Sequence, residues 1–91
     1  IKGAVYFLSQ IEKLVERFLS VPNDLTYTEL VSVLSYFGYK EFNCGNTSGS
    51  AVRFVDENNN IINMHKPHPQ KIVKRYAIKD AIAKLREDGK L

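Results

Sequence analysis

The chain has 91 residues, a net charge of +3 and a single cysteine. This length allows one domain with one modest core, and the apolar and charged fractions, 44% and 25%, are typical of a folded globular protein. No apolar run approaches the roughly 20 residues that a membrane helix needs, and the apolar stretch 4–8 is too short and wrongly flanked for a signal peptide. One cysteine excludes an internal disulfide and fits a reducing compartment, so the composition predicts a cytoplasmic protein.

Positive charge is concentrated in the second half of the chain. Residues 1–43 carry four basic and five acidic side chains, whereas residues 44–91 carry nine basic and five acidic. The segment 65–79 has no acidic residue and five basic ones: Lys66, Lys71, Lys74, Arg75 and Lys79. Clustered cations of this kind bind nucleic acid, although a solvated, lysine-rich loop and helix start would have the same composition.

A first helix is predicted by seven apolar residues at helical spacing, with polar residues on the opposite side. The apolar residues are Phe7, Leu8, Ile11, Leu14, Val15, Phe18 and Leu19. This helix should end near Ser20, because Pro22 cannot continue it. A second helix should begin at Thr26, which has Glu29 three residues later in the spacing of a capping box. Gly38 provides its left-handed exit.

Three short strands follow, and the sequence predicts them over residues 39–42, 50–55 and 61–65. The segment between the last two, Asp-Glu-Asn-Asn-Asn, is typical of a hairpin turn. A last helix is predicted by the apolar spacing of Ile78, Ala81, Ile82 and Leu85, and it should end at Gly89. The order helix, helix, strand, strand, strand, helix predicts an α+β fold: a three-stranded antiparallel sheet with the helices packed on one face.

Alternation along the strands assigns side chains to the two faces of this sheet. Val52, Phe54, Ile62 and Met64 should point at the helices. The opposite, open face then presents the polar or small residues of the same two strands: Ala51, Arg53, Asn63 and His65. Because successive side chains of a strand point to opposite faces, Arg53 and His65, on adjacent strands, should point to the same side of the sheet.

Several motifs together resemble the HicA family of bacterial toxins. They are Gly38-Tyr39, the run Thr-Ser-Gly-Ser-Ala-Val-Arg-Phe over residues 47–54, the run His-Lys-Pro-His-Pro over residues 65–69, and a closing Tyr-Ala-Ile-Lys helix over residues 76–79. The resemblance covers roughly residues 26–88. Residues 1–21 then resemble an N-terminal helical extension, and residues 26–88 the HicA-like core of a single domain spanning 1–91.

The resemblance implies a fold like a double-stranded-RNA-binding domain. It also implies ribosome-independent cleavage of mRNA by an mRNA interferase, and neutralisation by a HicB-like antitoxin. The family motif is Gly-Ser-His, with the histidine regarded as catalytic, but here Gly49-Ser50 is followed by Ala51. Two explanations fit this departure: a natural branch with another residue there, or an introduced His→Ala change that disarms a toxin. Either one predicts weak activity or none.

The candidate site residues follow from the chemistry of metal-free RNA cleavage. Histidine suits the general base and general acid, and position 51, His65 and His68 are the catalytic candidates. Cations suit the developing charge on phosphorus. The RNA-binding candidates are Ser50, Arg53, Lys66, Lys71, Lys74, Arg75 and Lys79. The alternative to a catalytic role is an exposed strand-end residue for His65 and a loop residue hydrogen-bonded to backbone for His68.

Other uses of these residues are less well supported by the sequence. Two histidines three apart could bind a metal together with Cys44, but no carboxylate or second cysteine lies at ligand spacing. We therefore expect no metal and no small-molecule cofactor. A non-catalytic RNA-binding module and a protein-interaction domain whose open sheet face binds a partner chain are the alternatives to an mRNA endoribonuclease.

Overall fold

The computed structural model describes residues 9–43, 51–67 and 71–91. Their elements are, in chain order, α1 (Gln10–Leu19), α2 (Tyr27–Tyr36), β1 (Lys40–Asn43), β2 (Ala51–Val55), β3 (Ile61–His65) and α3 (Arg75–Glu87). The strands form one antiparallel sheet in the order β1-β2-β3. The predicted α+β fold class and the order of its elements are confirmed.

Capping boxes start the first two helices. The Thr26 hydroxyl accepts from the Glu29 amide at 3.1 Å and the Glu29 carboxylate accepts from the Thr26 amide at 3.0 Å, as the sequence predicted. Ser9 and Glu12 make the same reciprocal pair at the start of α1. Because each box satisfies otherwise free amides of the first turn, it fixes the first helical residue. Helix α1 therefore begins at Gln10, and the first two members of the predicted apolar stripe lie before it, outside the described residues.

Both α2 and α3 end in a Schellman motif at a glycine. Gly38 has φ 95°, and the Tyr39 amide donates back to the Leu34 carbonyl at 2.9 Å. Gly89 has φ 80°, and the Lys90 amide donates to the Leu85 carbonyl at 2.8 Å. These bonds satisfy carbonyls left free at the end of a helix. The first motif also explains why β1 begins at Lys40 and not one residue earlier, since the Tyr39 amide still belongs to the helix end.

The core lies between one face of the sheet and the helices. Strand residues of even number are buried in β2 and β3, as the alternation predicted, and odd-numbered ones are at least partly exposed. The fully buried residues come from the three helices described, from β2 and from the connections next to α2; the largest are Phe18, Tyr39, Phe54, Leu25, Leu30, Leu34, Ile78 and Leu85. Phe18 of α1 belongs to this same cluster, so α1 packs into the core of the domain.

The hairpin turn between β2 and β3 is organised by one buried carboxylate. Asp56 is 6% exposed, and its Oδ1 accepts from the backbone amides of Asn58 at 2.9 Å and Asn60 at 2.7 Å. Its Oδ2 lies 3.1 Å from the Lys90 ammonium. A buried charge is tolerated only when it is paired and hydrogen-bonded, and these contacts meet that requirement.

Lys90 joins this turn to the C-terminal ends of α2 and α3. Its ammonium lies 5.3 Å from the centroid of the Tyr39 ring, a cation–π distance. The Tyr39 hydroxyl in turn donates to Asp88 at 2.5 Å. We call these four residues, Asp56, Lys90, Tyr39 and Asp88, the helix-exit clamp. The clamp lies at the turn of the β2–β3 hairpin, and Ala51 and His65 lie at the opposite end of the same two strands.

Acid should weaken the fold through Asp56. Burial alone would raise the pKa of this carboxyl, but hydrogen bonds from Asn60, Lys90 and Asn58 lower it to about 2, from 3.8. A depressed native pKa stabilises the fold fully above the unfolded value and progressively less as pH falls through the native value. The stability advantage of the present chain over an Asp56→Asn variant should therefore be constant above about pH 5 and shrink between pH 4 and pH 2. Urea melts of both chains across this range measure it, and an advantage that is independent of pH would contradict it.

Candidate active site

Ala51 and His65 lie directly opposite each other on neighbouring strands. They are the first residue of β2 and the last residue of β3, and they are paired in the antiparallel register. Directly opposed residues have Cβ atoms about 5 Å apart and side chains on the same face. His65 is exposed and Ala51 partly so. The predicted shared face of these two positions is thus the observed one.

A row of three side chains crosses the same open face beside this pair. Phe42 of β1 is opposite Arg53 of β2, and Arg53 is opposite Asn63 of β3. All three are exposed, Phe42 to 53%. Arg53 and Asn63 were predicted on this face, whereas Phe42 was not assigned to the site.

A cleft of about 210 Å³ lies between the end of β3 and the start of α3. His65 lines it, so the imidazole lies where the cleft meets the open sheet face. The other lining residues are Lys66, Pro67, Ile72, Val73, Lys74, Tyr76 and Ala77. Tyr76 is 63% exposed. Lys74 is the N-cap residue of α3 and makes no side-chain capping hydrogen bond, and no acidic residue lies in the first turn. Free amides and the helix dipole make this end electropositive.

Backbone hydrogen bonds to the start of α2 hold the segment that precedes α3. The Tyr27 amide donates to the Lys71 carbonyl at 2.9 Å, and the Val73 amide donates to the Leu25 carbonyl at 2.8 Å. Thr26 and Ile72 form the bridge between them. Lys71 itself has φ 65°, a left-handed conformation that costs a non-glycine residue free energy. This geometry places the exposed Lys71 and Lys74 next to the cleft.

Lys66 lines the cleft but is turned away from the open face. Its ammonium lies 3.8 Å from Glu41 and 5.6 Å from the centroid of the Tyr27 ring. The Tyr27 hydroxyl donates to the same carboxylate. Burial of Tyr27, together with this hydrogen bond to an anion, raises the pKa of the phenol well above its usual value. Lys66 thus neutralises Glu41, whereas Arg53 lies on the same face as His65.

The remaining predicted cations surround the start of α3. Arg75 and Lys79 are exposed and lie one helical turn apart, on one side of the helix. The Arg75 Nε donates to the carbonyl of Val21 at 3.1 Å, which attaches this end of α3 to the link between α1 and α2. Ser50 and His68, the other predicted site residues, lie outside the described residues, as does Cys44.

Neither a metal cluster nor a membrane span is found in the described part of the chain. No group of three or more His, Cys, Asp or Glu side chains there is placed to hold a metal ion. None of the helices described is long and apolar enough to cross a membrane.

The fold and site define a small α+β protein with an exposed, cationic site at the meeting point of two strands and a helix N-terminus. The family model described as the HicA toxin of bacterial toxin–antitoxin systems matches residues 27–87. The chain therefore belongs to the HicA toxin family, and membership implies an antitoxin as its partner. No match was found among curated proteins or solved structures.

Proposed function

We propose that this toxin is a metal-independent endoribonuclease of mRNA that acts in the cytoplasm, is neutralised by a HicB-like antitoxin, and is weakened or inactivated by Ala51. The observation that carries the proposal is the register of β2 and β3, which sets position 51 directly opposite His65 on an exposed face. A histidine at both positions would supply a base and an acid within reach of one phosphate.

The chemistry requires proton transfer at two oxygens. A base removes the proton from a ribose 2′-hydroxyl, the 2′-oxygen attacks the adjacent phosphorus, and an acid protonates the departing 5′-oxygen. Charge develops on the non-bridging oxygens, where a fixed cation lowers the barrier. Arg53 lies on the same sheet face as His65. Lys74, at the N-cap of α3, and His65, at the end of β3, both line the cleft. His68, three residues beyond His65, remains a candidate second histidine.

Cleavage of a single-stranded RNA in EDTA tests the proposal, with the present chain compared to an Ala51→His variant. Cutting by the variant alone supports a disarmed ribonuclease, and cutting by both places the chemistry on other residues. If neither cuts and both bind RNA, the non-catalytic RNA-binding module replaces the enzyme. The observation that favours the non-catalytic RNA-binding module is the side chain of Ala51, a methyl group that cannot transfer a proton.

Binding of RNA should depend on salt through the exposed lysines. Three to four neutralised phosphates predict a slope of log affinity against log salt of roughly −2 to −4. An acidic antitoxin would be attracted by the same charges, so a HicB-like antitoxin should compete with RNA for the site. RNA affinity that does not change with salt would contradict a phosphate-binding surface.

Lys71→Gly should weaken RNA binding and stabilise the fold at once. Glycine adopts the φ of 65° without steric cost, so the free energy of unfolding should rise by up to about 1 kcal/mol. Loss of one phosphate contact should reduce the salt slope by about 0.7. The matched control is Lys71→Ala, which removes the same charge but keeps the strained backbone. It should show the same loss of binding without the gain in stability; equal stability of the two variants would contradict the prediction.

A further inference from the structure

The exposed ring of Phe42 is the feature of the open face that the proposed chemistry leaves unused. It is 53% exposed, a large fraction for a phenylalanine in a domain whose other strand phenylalanine, Phe54, is fully buried. The ring also borders a depression of about 410 Å³ that includes Lys40 and Val55. An aromatic ring beside a depression offers a flat surface on which a planar ligand can lie.

The charge of this face is suited to an anion. The described strand residues on the open side are Lys40, Phe42, Ala51, Arg53, Val55, Ile61, Asn63 and His65, and none of them is acidic. The acidic residue of β1, Glu41, is on the other face and is held by Tyr27 and Lys66. Two turn carboxylates beyond the end of the strands, Asp56 and Glu57, also line the depression. Asp56 is paired with the Lys90 ammonium. A ligand that is both planar and anionic therefore complements the face.

The position of Phe42 relative to His65 limits what that ligand can be. Phe42 lies on β1, two strands away from His65 on β3. The two residues are also offset by two positions along the strands, because Phe42, Arg53 and Asn63 are aligned across the sheet and His65 follows Asn63 by two. With strands about 4.8 Å apart and about 3.4 Å per residue, the separation is roughly 12 Å. A strand of RNA with a phosphate at His65 can thus place a base a few nucleotides away on Phe42.

We propose that Phe42 is a specificity-determining residue: an unpaired base of single-stranded RNA stacks on its ring, while Arg53 and Asn63 bind the edge of the base or the adjoining phosphate. The proposal rests on RNA being the substrate. Stacking needs an exposed base face, which a duplex does not offer. The bound RNA is therefore single-stranded where it crosses the sheet, and the arginine and amide can distinguish bases by hydrogen bonds.

The test measures the affinity of the 91-residue chain for a short single-stranded RNA and for an abasic RNA of the same length. Removing one stacking ring should weaken binding of intact RNA by about 5- to 150-fold in a Phe42→Ala variant. Abasic RNA should bind this variant and the present chain equally. The salt slope should not change, since no charge is lost. Phe42→Tyr keeps a ring and should keep the affinity.

The matched control is Tyr36→Ala, which removes a ring of nearly equal exposure, 50%, from α2. It should leave RNA binding unchanged. If Phe42→Ala and Tyr36→Ala bind RNA like the present chain, the stacking role of Phe42 is wrong while the ribonuclease proposal stands. If the present chain and all variants fail to bind any RNA, the proposed function itself fails. If Phe42→Ala weakens only the antitoxin complex, the face binds protein and the inference is overturned.

Discussion

An Ala51→His variant should cleave single-stranded RNA about 10²- to 10⁴-fold faster than the present chain. That is the usual contribution of one general acid–base group. The register sets the introduced imidazole opposite His65, so one ring can accept the 2′-hydroxyl proton while the other donates to the leaving oxygen. The measurement is the rate of appearance of cut RNA in EDTA, with 2′,3′-cyclic phosphate ends as the sign of 2′-oxygen attack.

Two control variants separate acid–base chemistry from a general effect of adding an imidazole. Asn63→His places the new ring on the same face and the same strand as His65, but opposite Arg53, and should give no gain. Ala51→His combined with His65→Ala should lose most of the gain, because half of the pair is missing. The active variant should also show a bell-shaped dependence of rate on pH, as a base and an acid must each be in the correct state. Equal activity of Asn63→His and Ala51→His would show that the register is irrelevant.

Phe18→Ala should lower the free energy of unfolding by about 3–5 kcal/mol, the usual cost of deleting a buried phenylalanine ring. Phe18 of α1 is 0% exposed and belongs to the core cluster. Small domains are stable by only about 5–15 kcal/mol, so this one change should remove a large part of the total. Urea denaturation measures it as a lower midpoint with little change in slope.

Leu19→Ala is the matched control for Phe18, since it is the next residue of the same helix and is 39% exposed. It should cost less than about 1 kcal/mol. The ion pairs of Arg17 with Asp24 and Glu29 are partly exposed and should contribute little to the attachment of α1. If Phe18→Ala were no more costly than Leu19→Ala, α1 would be a loosely attached extension instead of part of the core.

Sequence could predict those parts of the fold that depend on local chemistry. The Thr26–Glu29 capping box and the glycine exits at residues 38 and 89 each require particular residue types at fixed spacing, so the helix ends were found. Alternation in β2 and β3 was equally local, and it placed Arg53 and His65 on one face correctly. β1 has only four residues and no clear alternation, so the side on which Phe42 lies was not predicted.

Local sequence patterns could not predict contacts between residues that are far apart in the chain. Lys66 is one residue from His65 and was grouped with it by charge, but its partner Glu41 is 25 positions earlier and is brought close only by the folded sheet. The hydrogen bond from Arg75 goes to the carbonyl of Val21, 54 positions earlier. Val21 has a positive φ of 53°, which a β-branched residue rarely adopts. Val21 directly follows the C-cap residue Ser20, a position at which helices often end in a left-handed residue, but its side-chain type gives no sign of it.

The helix-exit clamp has a consequence for how activity should be measured. Asp56 fixes the hairpin at its turn, and the pairing of position 51 with His65 is set at the other end of the same strands. A hairpin displaced by one residue would turn His65 toward the helices. A change at Asp56 could therefore create a mixed population, in which some molecules are folded yet inactive. The fraction of catalytically competent molecules, and hence the specific activity, should respond to this remote carboxylate more sensitively than the helical content of the sample.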